Sequence, residues 1–402
     1  VKAQCPNGTV VTVTNNAGNN VNGSFFWALD CLDNAGSTLT TVRFDIDGMT
    51  EIKPVTVAAL VVNKPNAIIE GANLGSGGAI IIDGTAVAGP SSNGLILGQP
   101  GISVQDLIIR NFTASAGGNG ILDNSNNSTV TNNTLIGNRI GIATGSNVFN
   151  FNISSNTIGA NGTGNISAGI AAGGNPTAGV IANNDIAHNN GNGITITGGN
   201  VLITDNSIYC NLISGITRPS PPLPPNITFS TTQEIRGTST PNSLVEVFIH
   251  STTGCAAAPV QGKTFIGLAT TPASGPWVLQ PPLGSVNPGS QVTATSTVNN
   301  INTSAFSGPA SVTDCSTFSA GITSVNISCQ GANNGSATAT PTTPSLNYLW
   351  GGGETTATIS NLSPGDYTVT VTNPATGCTA SQTVSITEPP ALNLTLTPVN
   401  VS

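Results

Sequence analysis

The sequence predicts an all-β chain, a β-solenoid followed by β-sandwich modules. Three observations carry this. Residues 100–217 repeat at about 22-residue spacing with no helical periodicity. Charged residues make up 6% of the chain against about 25% in an average globular protein. Yet 38% is apolar, mean hydropathy is +0.13, and 48 glycines sit among abundant Asn, Ser and Thr. Disordered chains combine few apolar residues with high charge, so this balance suits short strands and many turns instead.

Residues 1–50 are expected to cap the solenoid. Thr9–Asn15 alternates like a strand, Ser24–Asp33 reads as a short helix with Ser24 as N-cap, and Thr41–Ile46 returns to strand. An open solenoid end exposes an apolar rung and free strand edges, so a cover is needed.

Residues 51–218 form the solenoid proper. Asp106-Leu-Ile-Ile-Arg-Asn111, Asn133-Thr-Leu-Ile-Gly-Asn138, Asn156-Thr-Ile-Gly-Ala-Asn161, Asn184-Asp-Ile-Ala-His-Asn189 and Asn206-Ser-Ile-Tyr-Cys-Asn211 share Asn or Asp, an aliphatic residue two on, and Asn five on. Their starts lie 27, 23, 28 and 22 residues apart. A Gly-Ile mark at Gly120, Gly141, Gly169, Gly193 and Gly215 drifts with them across an insertion at 162–168. Stacked coils about 4.8 Å apart would place Ile108, Leu135, Ile158, Ile186 and Ile208 inside on one face. Ile121, Ile142, Ile170, Ile194 and Ile216 would line another. The repeated Asn suits tight corners, with amides bonding the coil above and below. The pattern resembles the right-handed parallel β-helix repeat family. That resemblance implies a scaffold shared by lyases, glycosidases and adhesins, so it does not fix function.

At Arg218 the pattern stops, and residues 219–225 read as an extended Pro-rich linker. Residues 226–316 contain about seven short strand-like runs, the pattern of an Ig-like β-sandwich. This segment is similar to bacterial Ig-like modules of surface proteins, with Cys255 and Cys315 as the candidate bridge.

Residues 317–391 carry Cys329-Gln-Gly-Ala-Asn-Asn-Gly-Ser-Ala-Thr-Ala-Thr, Tyr348-Leu-Trp350, Thr355 to Val371 with Asn-Leu-Ser-Pro-Gly-Asp-Tyr-Thr-Val, Gly377-Cys378-Thr and Ile386-Thr-Glu-Pro. These closely resemble the SprB repeat of gliding-motility surface adhesins in Bacteroidota. The residues themselves read as a small sandwich with Trp350 in its core and Cys329–Cys378 as its bridge. Ser324-Val-Asn-Ile-Ser recurs in outline as Pro398-Val-Asn-Val-Ser402, so residues 392–402 are expected to start a further repeat.

Net charge is −8 and pI about 4.5, with no basic stripe, so a nucleic-acid partner is not expected. Seven scattered cysteines without CxxC pairs imply disulfides and an oxidising, extracytoplasmic place. Cys5 with Cys31 is the third candidate pair, and Cys210 has no assigned partner.

Glycosidases need two facing carboxyls, and the repeats offer Asp106, Asp123, Asp185 and Asp205, three of them at or beside Asn corners where turn formation explains them. A lyase base would have to be Arg110 or Arg139, and Arg110 is read as a surface partner of Asp106. His188 and His250 are single histidines read as structural. Tyr209 and Trp277 are read as packing aromatics before sugar platforms. Asn152 and Asn226 head sequons that arise readily in so Asn-rich a chain. No cofactor is expected. The one metal considered is a structural calcium at Asp45, Asp47 and Asp83, too few oxygens for the usual six or more.

The expected function is a non-enzymatic, secreted or cell-surface adhesin segment, making multivalent contacts with polysaccharide or solid surfaces. The adhesin resemblance implies type IX secretion, the outer-membrane secretion and motility machinery as partners alongside further domains of the same chain, and display outside the outer membrane. A β-helix polysaccharide lyase or glycoside hydrolase with accessory sandwiches is the alternative, and a filament or scaffold subunit a third.

Overall fold

The computed structural model describes residues 5–18, 23–34, 37–48, 50–54, 60–75, 78–87, 92–160, 162–176, 178–251, 253–255, 259–341 and 345–392. Of the further repeat expected to start at 392–402, residues 393–402 lie outside them. The chain divides into two compact units, the first built from residues 1–228, 235–286 and 290–310, the second from 229–234, 287–289 and 311–402.

The first unit contains the β-solenoid. Three stacks of parallel strands run along it, each stack a sheet. The first sheet begins with Val10–Val13, Thr41–Phe44 and Ile68–Asn73 and reaches Val201–Thr204. The second runs from Glu51–Ile52 through Leu107–Arg110, Thr134–Ile136 and Asp185–Ala187 to Ser207–Tyr209. The third runs from Leu60–Val62 to Ser214–Thr217. Inside, like stacks on like: Leu135, Ile158, Ile186 and Ile208 in one column and Ile121, Ile142, Ile170, Ile194 and Ile216 in another are all buried. Each fully buried aliphatic side chain contributes about 1.5–3 kcal/mol.

One inward expectation fails. Ile108 is half-exposed, and Leu107 and Ile109 point inward instead. Ile108 pairs with Thr134 and Ile109 with Leu135, so Leu107, not Asp106, occupies the position of Asn133. Asp106 imitates the corner Asn one position early, and a one-residue slip turns a strand's faces over.

The recurring asparagines form two buried ladders. In the first, the backbone N–H and side-chain amide of Asn133 both donate to Asn156 Oδ1 at 2.9 and 3.1 Å. Asn156 treats Asn184 the same way, and Asn184 treats Asn206 so. The second ladder is Asn138, Asn165, Asn189 and Asn211. Asn161, the expected member, lies outside the described residues. The ladders also explain the Gly-Ile mark. A Cβ on Gly169 would lie 2.7 Å from Gly193 O and 2.9 Å from the Asn189 amide nitrogen, so only glycine leaves the ladder its room.

The N-terminal end is covered by the helix Phe25–Asp33, whose Trp27 N–H donates to Ser24 Oγ at 3.2 Å. Phe25, Leu29 and Leu32 bury against the first rungs, Phe25 meeting Phe44 at a 5.2 Å ring separation. Cys5 is bridged to Cys31.

The C-terminal end is closed by antiparallel strands from beyond the Pro-rich segment. Leu244–His250 lies between Thr264–Thr270 and Gln291–Val298, and Asn302–Thr303 continues from the last of these to pair in parallel with Val201. The first solenoid sheet is therefore continuous with these strands, thirteen in all. Ile235–Thr238 pairs with Trp277–Leu279, and Trp277 is fully buried. Cys210 bridges to Cys255, which corrects the expected Cys255–Cys315 pairing.

The second unit has two three-stranded antiparallel sheets. One is Gly321–Val325, Gly335–Thr340 and Thr358–Leu362; the other is Asn347–Trp350, Gly365–Thr372 and Thr379–Ile386. Trp350 sits in the core, its indole N–H donating to Thr356 O at 2.9 Å. Cys315 pairs with Cys378, while Cys329 is exposed and free, against the expected Cys329–Cys378 bridge. Motif spacing places cysteines on a chain but cannot say which Cβ atoms face each other across sheets.

Candidate functional site

The outer face of the second solenoid sheet carries two groups of ionisable side chains, one toward each end. Outward residues fall into two columns because side chains alternate along each strand. Thr134, Thr157, Asp185 and Ser207 form one; Asp83, Arg110 and Ile136 belong to the other, which ends at Ala187 and Tyr209.

At the N-terminal end of this face, Arg110 Nε contacts Asp83 at 2.7 Å and its Nη2 contacts Glu51 at 2.7 Å. Lys53 reaches Glu51 at 3.2 Å, and the Asn111 amide donates to Asp83. Arg110 therefore pairs across rungs with Asp83 and Glu51 instead of with Asp106 four residues earlier. Although Asp83 is desolvated, hydrogen bonds from the Thr85 N–H, Arg110 and Asn111 hold its carboxyl well below the usual range. Asp83 is consequently committed to Arg110. Asp45 and Asp47 are exposed elsewhere, and the described residues contain no group of three His, Cys, Asp or Glu that could hold a metal.

At the C-terminal end four groups meet. His188 packs edge-on to Tyr209 at 5.7 Å, and Lys263 Nζ lies 4.7 Å from the centre of the Tyr209 ring. Asp185 begins the strand Asp185–Ala187, which pairs with Ser207–Tyr209 and so brings its carboxyl beside Tyr209. Asp185 is an exposed residue, yet packing desolvates its carboxyl enough to raise its pKa, against the pull of Tyr209, Lys263 and His188. Desolvation, with the Asp185 charge beside it, raises Tyr209 as well. His188 is held at a left-handed corner, φ 57°, which turns its ring toward Tyr209. This group holds an acceptor, two nitrogen donors and an aromatic ring on one surface.

The other residues singled out by sequence lie apart. Asp123 is fully buried and raised by desolvation, its carboxylate accepting from Ser125 N and Oγ and from Ser128 Oγ. It braces a corner and meets no solvent. Asp106 and Asp205 occupy left-handed corners at φ 62° and 55°. Arg139 donates to Gly117 O at 3.2 Å, and His250 Nδ1 lies 2.9 Å from Gln261 O. Sequence reasoning treated Asp185, His188 and Tyr209 separately and passed over Lys263. Lys263 arrives from the segment just before the strand Thr264–Thr270, outside the repeat, so nothing in the repeat period marks it.

Residues 55–237 match the family model described as periplasmic copper-binding protein (NosD). No curated protein matches the chain. Copper sites draw on imidazole, thiolate and thioether donors. Residues 55–237 contain one histidine, His188, one cysteine, Cys210, which is bridged, and no methionine. His188 is engaged with Tyr209. This donor set does not fit a copper site, and the likeness extends to the solenoid scaffold of residues 55–237.

Proposed function

We propose that this chain is an exported, non-enzymatic adhesin that binds polysaccharide or solid surfaces through the flank of its solenoid. The observation that carries the reading is how the interior is spent. Aliphatic columns and two asparagine ladders consume it, leaving the outer faces for contact. Those faces are largely uncharged and hydroxyl-bearing, suited to many weak contacts that add along a rod. Three disulfides suit an oxidising compartment, and the matched family is by its description periplasmic. Ig-like and SprB-type modules beyond the solenoid, and display on gliding cells, belong to the same proposal.

The test is adhesion of the intact chain to polysaccharide-coated and bare surfaces on a microbalance, with reducing ends assayed in the supernatant. Retention on a surface with no release of sugar is expected. Depolymerisation would favour the second reading, a carbohydrate-active enzyme. One observation supports that alternative: Asp185, His188, Tyr209 and Lys263 bring acid–base groups together.

A further inference from the structure

We propose that Asp185, His188, Tyr209 and Lys263 form a binding subsite for a neutral, hydroxyl-bearing polysaccharide lying along the second sheet of the solenoid. The proposal rests on the adhesin reading and gives it a place and a ligand class.

The first argument is scarcity. The chain has 2 His, 3 Tyr and 9 Lys+Arg in 402 residues, and one of each converges here beside Asp185, whose strand pairs with that of Tyr209. The second is that the end of the solenoid closes without them. Gln261, Thr303 and the Cys210–Cys255 bridge already satisfy or tie the last rung, so the Lys263 amine and the Asp185 carboxylate are not needed to seal it. The third is complementarity. The Asp185 carboxylate accepts from sugar hydroxyls, His188 and Lys263 donate to ring and glycosidic oxygens, and the half-buried Tyr209 offers its remaining ring surface to C–H groups.

The sheet supplies length. From Tyr209 back to Arg110 is four rungs, about 19 Å at the usual strand spacing. The exposed Thr157 and half-exposed Thr134 lie between as uncharged hydrogen-bonding residues. Among the described residues the cations at the far end are paired, Arg110 with Asp83 and Glu51 and Lys53 with Glu51. The net charge of −8 also disfavours a polyanion. Both facts select a neutral glycan.

The test titrates the intact chain with cellohexaose, laminarihexaose and mannohexaose, using polygalacturonate as the anionic comparator. At least one neutral hexaose is expected to bind. Asp185→Asn and Lys263→Gln should each weaken it at least tenfold, with melting temperatures near the parent's. Asn152→Ala, on the first sheet, should leave it unchanged. Binding that survives both site variants within twofold overturns the subsite while leaving adhesion standing. Failure to bind any neutral hexaose, or binding of polygalacturonate alone, overturns the ligand class in a chain that still adheres. A chain that adheres to no polysaccharide or bare surface removes the adhesin reading itself.

Discussion

Replacing Asn184 with alanine isolates what the ladder contributes. The Asn184 amide donates to Ile153 O, Ala182 O and Asn206 Oδ1 at 2.9, 3.0 and 2.9 Å. Its Oδ1 accepts from the backbone and side chain of Asn156 at 2.9 and 3.0 Å. Asn206 Oδ1 keeps the Asn184 backbone donor, so it stays satisfied. The Asn156 N–H, by contrast, loses its partner where water cannot reach, and the carbonyls of Ile153 and Ala182 lose one each. A stranded buried group costs about 1–3 kcal/mol and a lost bond about 0.5–1.5 kcal/mol, so the total is about 2–6 kcal/mol. Asn184→Asp should be at least as harmful, since a carboxylate would face two carbonyls and Asn206 Oδ1. Asn190→Ala, on an exposed residue one position past the second ladder, should fall within about 0.5 kcal/mol of the parent. Urea denaturation followed by far-ultraviolet circular dichroism measures all three. An Asn184→Ala cost below about 1 kcal/mol would refute the claim that the ladder holds the coils together.

Glu246 is buried, and desolvation raises its pKa despite bonds from Thr204 Oγ1 and the Asp205 N–H. A raised folded pKa contributes stability that is full at low pH and lost as pH rises through it. Glu246→Gln, which keeps both accepted bonds, should therefore stabilise the first unit at pH 8 more than at pH 4; equal gains at both would contradict the assignment. The Cys210–Cys255 bridge closes a separation of 45 residues. Removing both cysteines by serine should cost up to about 4 kcal/mol by loop entropy, read as a lower denaturation midpoint. Cys329, exposed and free, should take up one maleimide in the native, unreduced chain, the other thiols reacting only after reduction and unfolding.

The solenoid was legible because its cause is local and repeated. Coil after coil uses an aliphatic residue inside, an amide at the corner and a glycine where that amide passes, and the same residue types recur at one spacing. The alignment slipped only in the coil that lacks the amide, where Leu107 stands in for Asn and Asp106 imitates it. Pairings between distant segments were not legible. The partner of Cys210 and the partners of Arg110 depend on which strands the fold brings alongside. The site was legible in its parts: Asp185, His188 and Tyr209 were each noticed, but their meeting depends on rung stacking, and Lys263 on the module that closes the end.

That closure changes what the second module is. A parallel stack must stop somewhere, and its last rung presents unpaired backbone and unsatisfied amides. Gln261 takes the place of the next ladder residue: its Oε1 accepts from the backbone and amide of Asn211 at 3.1 and 2.9 Å, and its Nε2 donates to Asn211 O. Thr303 Oγ1 accepts from the Ile203 N–H and donates to Ile203 O, and Gly262 O accepts from Ile208 N. Residues 235–310 thus supply the end rung of the solenoid, whatever else they bind. A chain cut after Arg218 would leave Asn211 and the edges of Val201–Thr204 and Ser207–Tyr209 open. It should aggregate or swap strands with a second copy on size-exclusion chromatography, while a chain ending at residue 314, before Cys315, should elute as a monomer. A monodisperse, cooperatively melting 1–218 fragment would show that the solenoid closes itself.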